Sequence, residues 1–201
     1  MRAGAIICCL LALAAVGAGC GGTATADSVV ITHVDISKRA SDLVLDAEDI
    51  GGVYVVVDGD SGMDHLGDVI RRDPAKIKAL ERREWQSGYH ALYASPNSDG
   101  VLTDASVFRS EDAAVTVSAA WAREMAQRYH GVRVAASDPN LQHVTVLRAR
   151  IPSRSGLKTA YWIQWVHGRV VAQILAFGAS GTVQGVSQLA QAQDGRITNS
   201  E

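Results

Sequence analysis

Aromatic and amide side chains at the spacing of a β-strand are the residues of this chain best suited to bind a ligand. In segment 157–166, strand alternation places Trp162 and Gln164 on one face. If residues 167–168 form a two-residue hairpin turn, Gln173 lies opposite Trp162 on the next strand. A tryptophan beside paired amides can hold the apolar and polar parts of a small amphipathic ligand. The alternative is ordinary core, since tryptophan also fills wide gaps beneath helices.

Motifs of the common enzyme classes are absent from the sequence. There is no Gly-x-Ser-x-Gly elbow, no Ser-x-x-Lys, no His-Glu-x-x-His and no glycine-rich phosphate loop. No cysteine follows Cys20, so the body of the chain has neither a thiol nucleophile nor a Cys-based metal site. We therefore predict no catalytic residue and no cofactor. A hydrolase with paired carboxylates stays open as an alternative, because such pairs leave no local signature.

An acid-rich loop that begins at Asp58, with the sequence DGDSGMDH, is the candidate metal site of the chain. Asp58, Asp60 and Asp64 supply the hard oxygen atoms that calcium prefers. The EF-hand register fails, however, because Gly62 occupies the fifth position and Val69 the twelfth, where a bidentate glutamate is needed. Acids also favour a helix N-terminus. We predict a turn before a helix, without a bound metal.

Cys20 is the candidate site of a covalent modification. A positive start at Arg2 and an apolar run over residues 3–19 precede it. This pattern predicts a secretory signal peptide. The run is at the lower limit of the roughly 17–25 residues that span a membrane. Removal of residues 1–19 would also remove Cys8 and Cys9 and leave Cys20 as the first residue.

The segment Val16-Gly17-Ala18-Gly19-Cys20 resembles the lipobox of bacterial lipoproteins, although Gly17 stands where leucine is usual. The resemblance implies cleavage before Cys20 and lipidation of its sulfur with two or three acyl chains. Several chains make attachment stable, whereas one gives only marginal binding. The protein is then expected on the extracytoplasmic face of the cell membrane. A plain secreted protein and an uncleaved anchor are the alternatives.

Length and charge limit what the remaining chain can be. Residues 20–201 are enough for one core, and we predict a flexible tether over 20–28 and a single domain over 29–197. The tether reaches roughly 25–30 Å if extended. Without Arg2 the chain has 18 Lys and Arg against 21 Asp and Glu. This near balance argues against a nucleic-acid partner.

Hydrophobic periodicity predicts helices separated by groups of strands. Runs of hairpin strands between helices are typical of an α+β fold, here an antiparallel sheet with helices packed mainly on one face. The last two strands are apolar on both faces, which predicts that they lie at the centre of the sheet with both faces covered. The predicted elements are a helix at 41–50, a strand at 53–57, helices at 63–70 and 73–85, strands at 89–94 and 101–108, a helix capped by Ser110, strands at 143–151, 157–166 and 169–177, and a helix capped by Thr182.

Three diffuse features carry a second resemblance: residues 43–51, the helix start at 110–114, and the hairpin 161–177 followed by Gln188-Leu189-Ala190. Their spacing is similar to that of uncharacterised lipoproteins and sensor-type extracellular domains of high-GC Gram-positive bacteria. The resemblance implies no catalytic residue. We predict a membrane-anchored, non-catalytic domain that binds a small cell-envelope ligand or a partner protein. A structural or interaction lipoprotein without a pocket is the alternative, together with the carboxylate-dependent hydrolase.

Overall fold

A computed structural model describes residues 40–51, 54–58, 61–63, 75–97, 99–135, 140–153 and 156–200. These residues belong to one compact unit, Val34–Glu201. The predicted leader 1–19, the tether 20–28 with Cys20, and the helix predicted after Met63 lie outside the described residues. Their boundaries stay predictions.

The described residues form an antiparallel sheet of eight strands. The strands are β1 (Val55–Val56), β2 (Gly62–Met63), β3 (Trp85–Ala94), β4 (Gly100–Phe108), β5 (Val132–Arg133), β6 (Gln142–Ser153), β7 (Gly156–His167) and β8 (Val170–Phe177). The spatial order is β1-β3-β4-β8-β7-β6-β5, and β2 also pairs with β3. Among the described strands, tight hairpins join β3 to β4, β6 to β7 and β7 to β8, and β5 pairs with β6 across a longer connection.

Helical segments connect and flank the strands. The two long helices begin as predicted: the Ser110 side chain accepts a hydrogen bond from the Ala113 N–H, and Thr182 accepts one from Gly185. Such caps satisfy backbone donors that have no partner within the helix. The segments are a 3₁₀ turn at Ala40–Leu43, α1 (Ala47–Ile50), α2 (Ala75–Glu84), α3 (Glu111–Arg128), a 3₁₀ turn at Gly178–Ser180, and α4 (Val183–Thr198).

The predicted class, α+β with an antiparallel sheet, is confirmed. The first 3₁₀ turn, α1 and α4 pack on one face, where α4 contacts Trp165. On the other face α3 contacts Gln164, and α2 packs beside α3. Because Gln164 and Trp165 are successive strand residues, their side chains point to opposite faces. Helices thus cover both faces at the centre of the sheet, as the apolar character of both faces of the last two strands predicts.

Small side chains bring α3 close to the sheet. Periodicity predicts Ala114, Val117, Trp121, Met125 and Tyr129 on the inward face. The structure buries the first two and leaves the other three half-buried. Alanine and serine residues let the helix axis approach the strands, so the large side chains move to the border of the contact. The buried residues of α3 are Ala113, Ala114, Val117, Ser118, Ala120 and Ala122.

The β7–β8 hairpin corrects the predicted turn by one residue. His167 pairs with Val170, so Gly168 and Arg169 form the turn, instead of His167 and Gly168. Gly168 has a φ of 50°, which glycine adopts without strain at the first turn position. The shift moves every cross-strand pair by two residues and keeps each side chain on its face. Gln173 therefore lies opposite Gln164, and not opposite Trp162.

Element boundaries near the edges of the sheet also differ from the predictions. The predicted strand 53–57 is reduced to Val55–Val56, β3 begins four residues earlier than predicted, and β5 is not anticipated. The predicted helix 41–50 is divided, because Asp46 starts a new helix by accepting hydrogen bonds from the N–H groups of Glu48 and Asp49. No helix in the described part of the chain is long and apolar enough to cross a membrane.

Candidate functional site

The three residues predicted to bind a ligand lie together on the face of the sheet that α3 covers. Trp162 pairs directly with Leu175, and Gln173 is its diagonal neighbour. The Trp162 Nε1–H donates a hydrogen bond to Gln173 Oε1 at 3.1 Å. The tryptophan and the amide are therefore in contact, although the pairing predicted for them is wrong, because diagonal neighbours are within reach of a long aromatic side chain.

Two of these residues are interior. Trp162 is 1% exposed and Gln164 is fully buried. Gln164 Nε2 donates to the Ser118 carbonyl at 2.8 Å and to Ser118 Oγ at 2.5 Å, which joins β7 to α3. Gln164 Oε1 is buried and has no hydrogen-bond partner among the described residues. Trp162 and Gln164 thus lie beneath α3, and of the three residues only Gln173, which is half-buried, is partly accessible to solvent.

Gln164 and Gln173 belong to a polar row that crosses five strands. Directly paired residues share a face of an antiparallel sheet. The register pairs Thr145 with Gln164, Gln164 with Gln173, Gln173 with Asp104, and Asp104 with His90. Gln173 Nε2 also donates to Asp104 Oδ1 at 3.4 Å. One continuous line of polar side chains therefore runs from β6 to β3 beneath and beside α3.

An apolar row runs beside the polar row on the same face. The register pairs Leu92 with Leu102, Leu102 with Leu175, and Leu175 with Trp162. The three leucines are half-buried, like the three polar residues next to them. We call these six residues the amphipathic surface: His90, Leu92, Leu102, Asp104, Gln173 and Leu175.

One side chain of α3 borders this surface. Met125 is half-buried and packs in one cluster with Leu175 and Trp162. Trp121, also half-buried, packs farther along β4 against Phe108, with ring centroids 6.0 Å apart. The surface therefore has a row of leucines beside a row of polar side chains, with Met125 next to Leu175.

The opposite face holds polar contacts that join the sheet to α4. Thr103 Oγ1 accepts from the Leu45 N–H and donates to Gln193 Oε1 at 2.8 Å. Gln193 Nε2 donates to the Asp104 carbonyl at 2.9 Å. Each of these buried groups has a partner, as the cost of burying unpaired polar atoms demands. This network is a structural connection.

Asp194 forms a second connection between the sheet and α4. Its Oδ1 accepts a hydrogen bond from Trp165 Nε1 at 2.9 Å and lies 2.9 Å from His167 Nδ1. The carboxylate thus joins the end of β7 to the last turns of α4.

The carboxylates of Asp46 and Asp49 both bind the guanidinium of Arg196. Burial acts to raise the pKa of Asp46, but the hydrogen bonds from the Asp49 N–H and from Arg196 outweigh it, and the pKa is lowered. The same two carboxylates raise the pKa of Arg196 against the opposing effect of burial. These acids therefore connect α1 to α4 as charged groups.

The lipidation site and two of the three aspartates of the acid-rich loop stay predictions. Cys20, Asp60 and Asp64 lie outside the described residues. Within the described ranges, no group of three or more His, Cys, Asp or Glu side chains is arranged to hold a metal ion.

His90, Asp104 and Ser118 were not singled out by the sequence analysis. Asp104 carried a usable signal, because it is a charged residue in the middle of the apolar strand VLTDASVF. Burying a charged side chain costs free energy unless it is paired, so an aspartate at this position indicates a specific partner or a role at the surface. The partnership of His90 with Asp104 follows from the hairpin pairing, whereas Ser118 required the position of α3.

The fold recurs in a solved structure. The extracellular domain of PknH from Mycobacterium tuberculosis matches this chain with a TM-score of 0.56 and 13% sequence identity. The match covers 81% of this chain and 96% of that domain. At this identity the likeness shows a shared fold. No protein-family model and no curated protein sequence matches the chain.

Proposed function

We propose that this chain is a non-catalytic, extracytoplasmic domain, attached to the membrane through lipidated Cys20, which binds a small amphipathic molecule of the cell envelope. The observation that carries the proposal is the amphipathic surface. It places a row of half-buried polar groups, His90, Asp104 and Gln173, beside a row of half-buried leucines.

The polar and apolar rows of the amphipathic surface indicate which class of molecule would bind there. Asp104 provides a carboxylate, and Gln173 provides an amide that both donates and accepts. The leucines and Met125 offer apolar area to a chain or ring, which gains roughly 25 cal/mol for each Å² removed from water. A ligand with a hydroxyl- or amine-bearing head and an apolar body fits this division better than a fully polar one. This combination of apolar lining with a few placed polar groups is usual in ligand sites.

The location rests on the amino terminus. The positive, apolar and small-residue sequence before Cys20 resembles a lipoprotein signal. The shared fold with an extracellular domain agrees with this location. Fold alone does not assign function, so the proposal depends on the surface itself.

Fluorescence titration tests the binding proposal. Trp162 pairs with Leu175 at the border of the surface, so cell-envelope lipids and glycolipids that bind there should change tryptophan emission. Leu92→Gln should weaken binding about tenfold, because it places an amide in the apolar line. Val56→Gln is the control, since this valine is 46% exposed and pairs with Tyr93 on the opposite face of the sheet, outside the surface.

An emission change that is equal in both variants would contradict a site at the amphipathic surface. Emission that does not respond to any of these molecules in the unsubstituted protein would remove the ligand proposal. Circular dichroism of both variants confirms that each is folded.

A further inference from the structure

Charge is divided unevenly along this chain. Residues 20–124 contain ten Lys and Arg against eighteen Asp and Glu, whereas residues 125–201 contain eight against three. The sheet order places β1, β3 and β4 on one side and β8, β7, β6 and β5 on the other. The acidic part of the sequence thus forms one half of the sheet and the basic part forms the other. Such asymmetry often marks a surface that meets an anionic partner.

Two arginines concentrate this charge on one face of the basic half. Arg148 and Arg150 are alternate residues of β6, so both point to the face opposite α3. The register pairs Arg148 with Val132 on one side and with Tyr161 on the other. Leu157 lies on the same face of β7, two alternations beyond Tyr161. We call these five residues the basic edge.

The basic edge is open to solvent. Both arginines are exposed, and no ion pair within the described residues involves either of them. Val132 is 58% exposed and Leu157 is 59% exposed. Tyr161 is half-buried and packs against the core on this face. The edge therefore combines uncompensated positive charge with aliphatic and aromatic side chains.

We propose that the basic edge docks on the anionic lipid headgroups of a membrane surface. Guanidinium groups bind phosphate through paired hydrogen bonds, and each basic side chain near an anionic bilayer strengthens attachment. Tyrosine and exposed aliphatic residues favour the interfacial region, where one end is wet and the other is apolar. Nucleic acid would use the arginines but would leave Val132 and Leu157 exposed to water.

The inference rests on the proposed function in one respect: the lipid at Cys20 would determine which membrane the domain meets. A lipid at Cys20 would hold the domain within tether length of the bilayer, and the basic edge would then decide which side of the domain meets it. Attraction of the edge to anionic lipid is a property of the five residues and does not require the lipid anchor.

Vesicle flotation of the full chain with Cys20→Ser tests the inference. Vesicles of phosphatidylcholine are compared with vesicles that also contain phosphatidylglycerol, and the phosphatidylglycerol-dependent binding is scored. The leader, with its amino terminus and Arg2, is the same in every variant, so its contribution cancels when the variants are compared with the parent. Arg148→Gln with Arg150→Gln should reduce that binding by about 30-fold. Arg109→Gln with Arg123→Gln, which removes two exposed arginines elsewhere, should change it less than twofold.

Equal losses in the two double variants would overturn the inference, because they would show a dependence on net charge alone. Absence of phosphatidylglycerol-dependent binding in the parent would also overturn it, as would binding that is retained by the Arg148 and Arg150 variant. Leu157→Gln should weaken binding to anionic vesicles as well, which distinguishes a lipid surface from nucleic acid or an acidic protein. None of these outcomes changes ligand binding at the amphipathic surface, so the two proposals fail separately.

Discussion

Gln164 is a residue whose role is decided by its immediate contacts. Its amide nitrogen donates twice to Ser118, while its oxygen is buried without a partner among the described residues. An unpartnered buried acceptor costs free energy, so the two bonds to Ser118 offset part of that cost. The residue therefore joins β7 to α3.

A double-mutant cycle should show this coupling. Gln164→Leu should lower the free energy of unfolding by about 1–2 kcal/mol, because the Ser118 hydroxyl loses its buried partner. Adding Ser118→Ala should then cost less than Ser118→Ala does alone, since the hydroxyl has already lost its bond. Urea unfolding of the parent, the two single variants and the double variant measures these free-energy differences. Strict additivity of the two substitutions would show that the contact has no energetic role.

Contacts at the residue scale were partly predictable. Strand alternation predicts that Trp162, Gln164 and Gln173 share one face, and the structure places them there. Alternation does not fix the cross-strand pairing, because a turn that moves by one residue shifts every partner by two. Ser118 is not predictable from the strand, since only the packing of α3 on the sheet brings it to Gln164.

The contact of α1 with α4 is a feature of the element scale. Arg196 of α4 binds Asp46 and Asp49, which form the reciprocal cap at the start of α1. A helix of four residues is not stable alone. The cap and the arginine together hold this segment against the carboxyl-terminal helix.

Asp46→Asn isolates the ionic part of that contact, because asparagine caps helices as well as aspartate does. Half of the Asp46 side chain is exposed, so water screens the pair, and we expect a loss of about 0.5 kcal/mol at neutral pH. The pKa of Asp46 is lowered by folding from its ordinary value of 3.8. Its stabilisation is therefore present above that value and disappears as the pH falls through the lower folded pKa.

Thermal unfolding of the parent and Asp46→Asn across the acid range measures the effect. The two unfolding temperatures should differ at pH 7 and converge below the folded pKa. Asp42→Asn, at an exposed aspartate without this arginine, is the control. A difference that stays constant with pH would contradict an ionic origin.

Elements with strong internal patterns were predictable, and short ones were not. The β3–β4 hairpin, α3 and the two capped helix starts follow from turn residues, periodicity and capping side chains. β1 and β5 have two residues each, and β5 exists because β6 offers an edge to pair with. Periodicity alone predicts the large apolar side chains of α3 at the centre of its contact with the sheet. Small residues occupy that centre instead, because they let the helix approach the strands closely.

The whole molecule carries two surfaces of different chemistry on opposite faces of one sheet. The amphipathic surface lies on the α3 face of β3, β4 and β8, and the basic edge lies on the other face of β5, β6 and β7. If the basic edge meets the membrane, the amphipathic surface is directed away from it. A ligand would then be taken from the space beyond the bilayer surface.

Native mass spectrometry of the protein purified from its own host in a mild detergent tests the central claim most directly. The account predicts a protein whose first residue is an acylated Cys20 and which retains a small amphipathic molecule, released on unfolding and lost from the Leu92→Gln variant. A protein with no retained molecule, or one retained equally by Leu92→Gln and the parent, would contradict binding at the amphipathic surface.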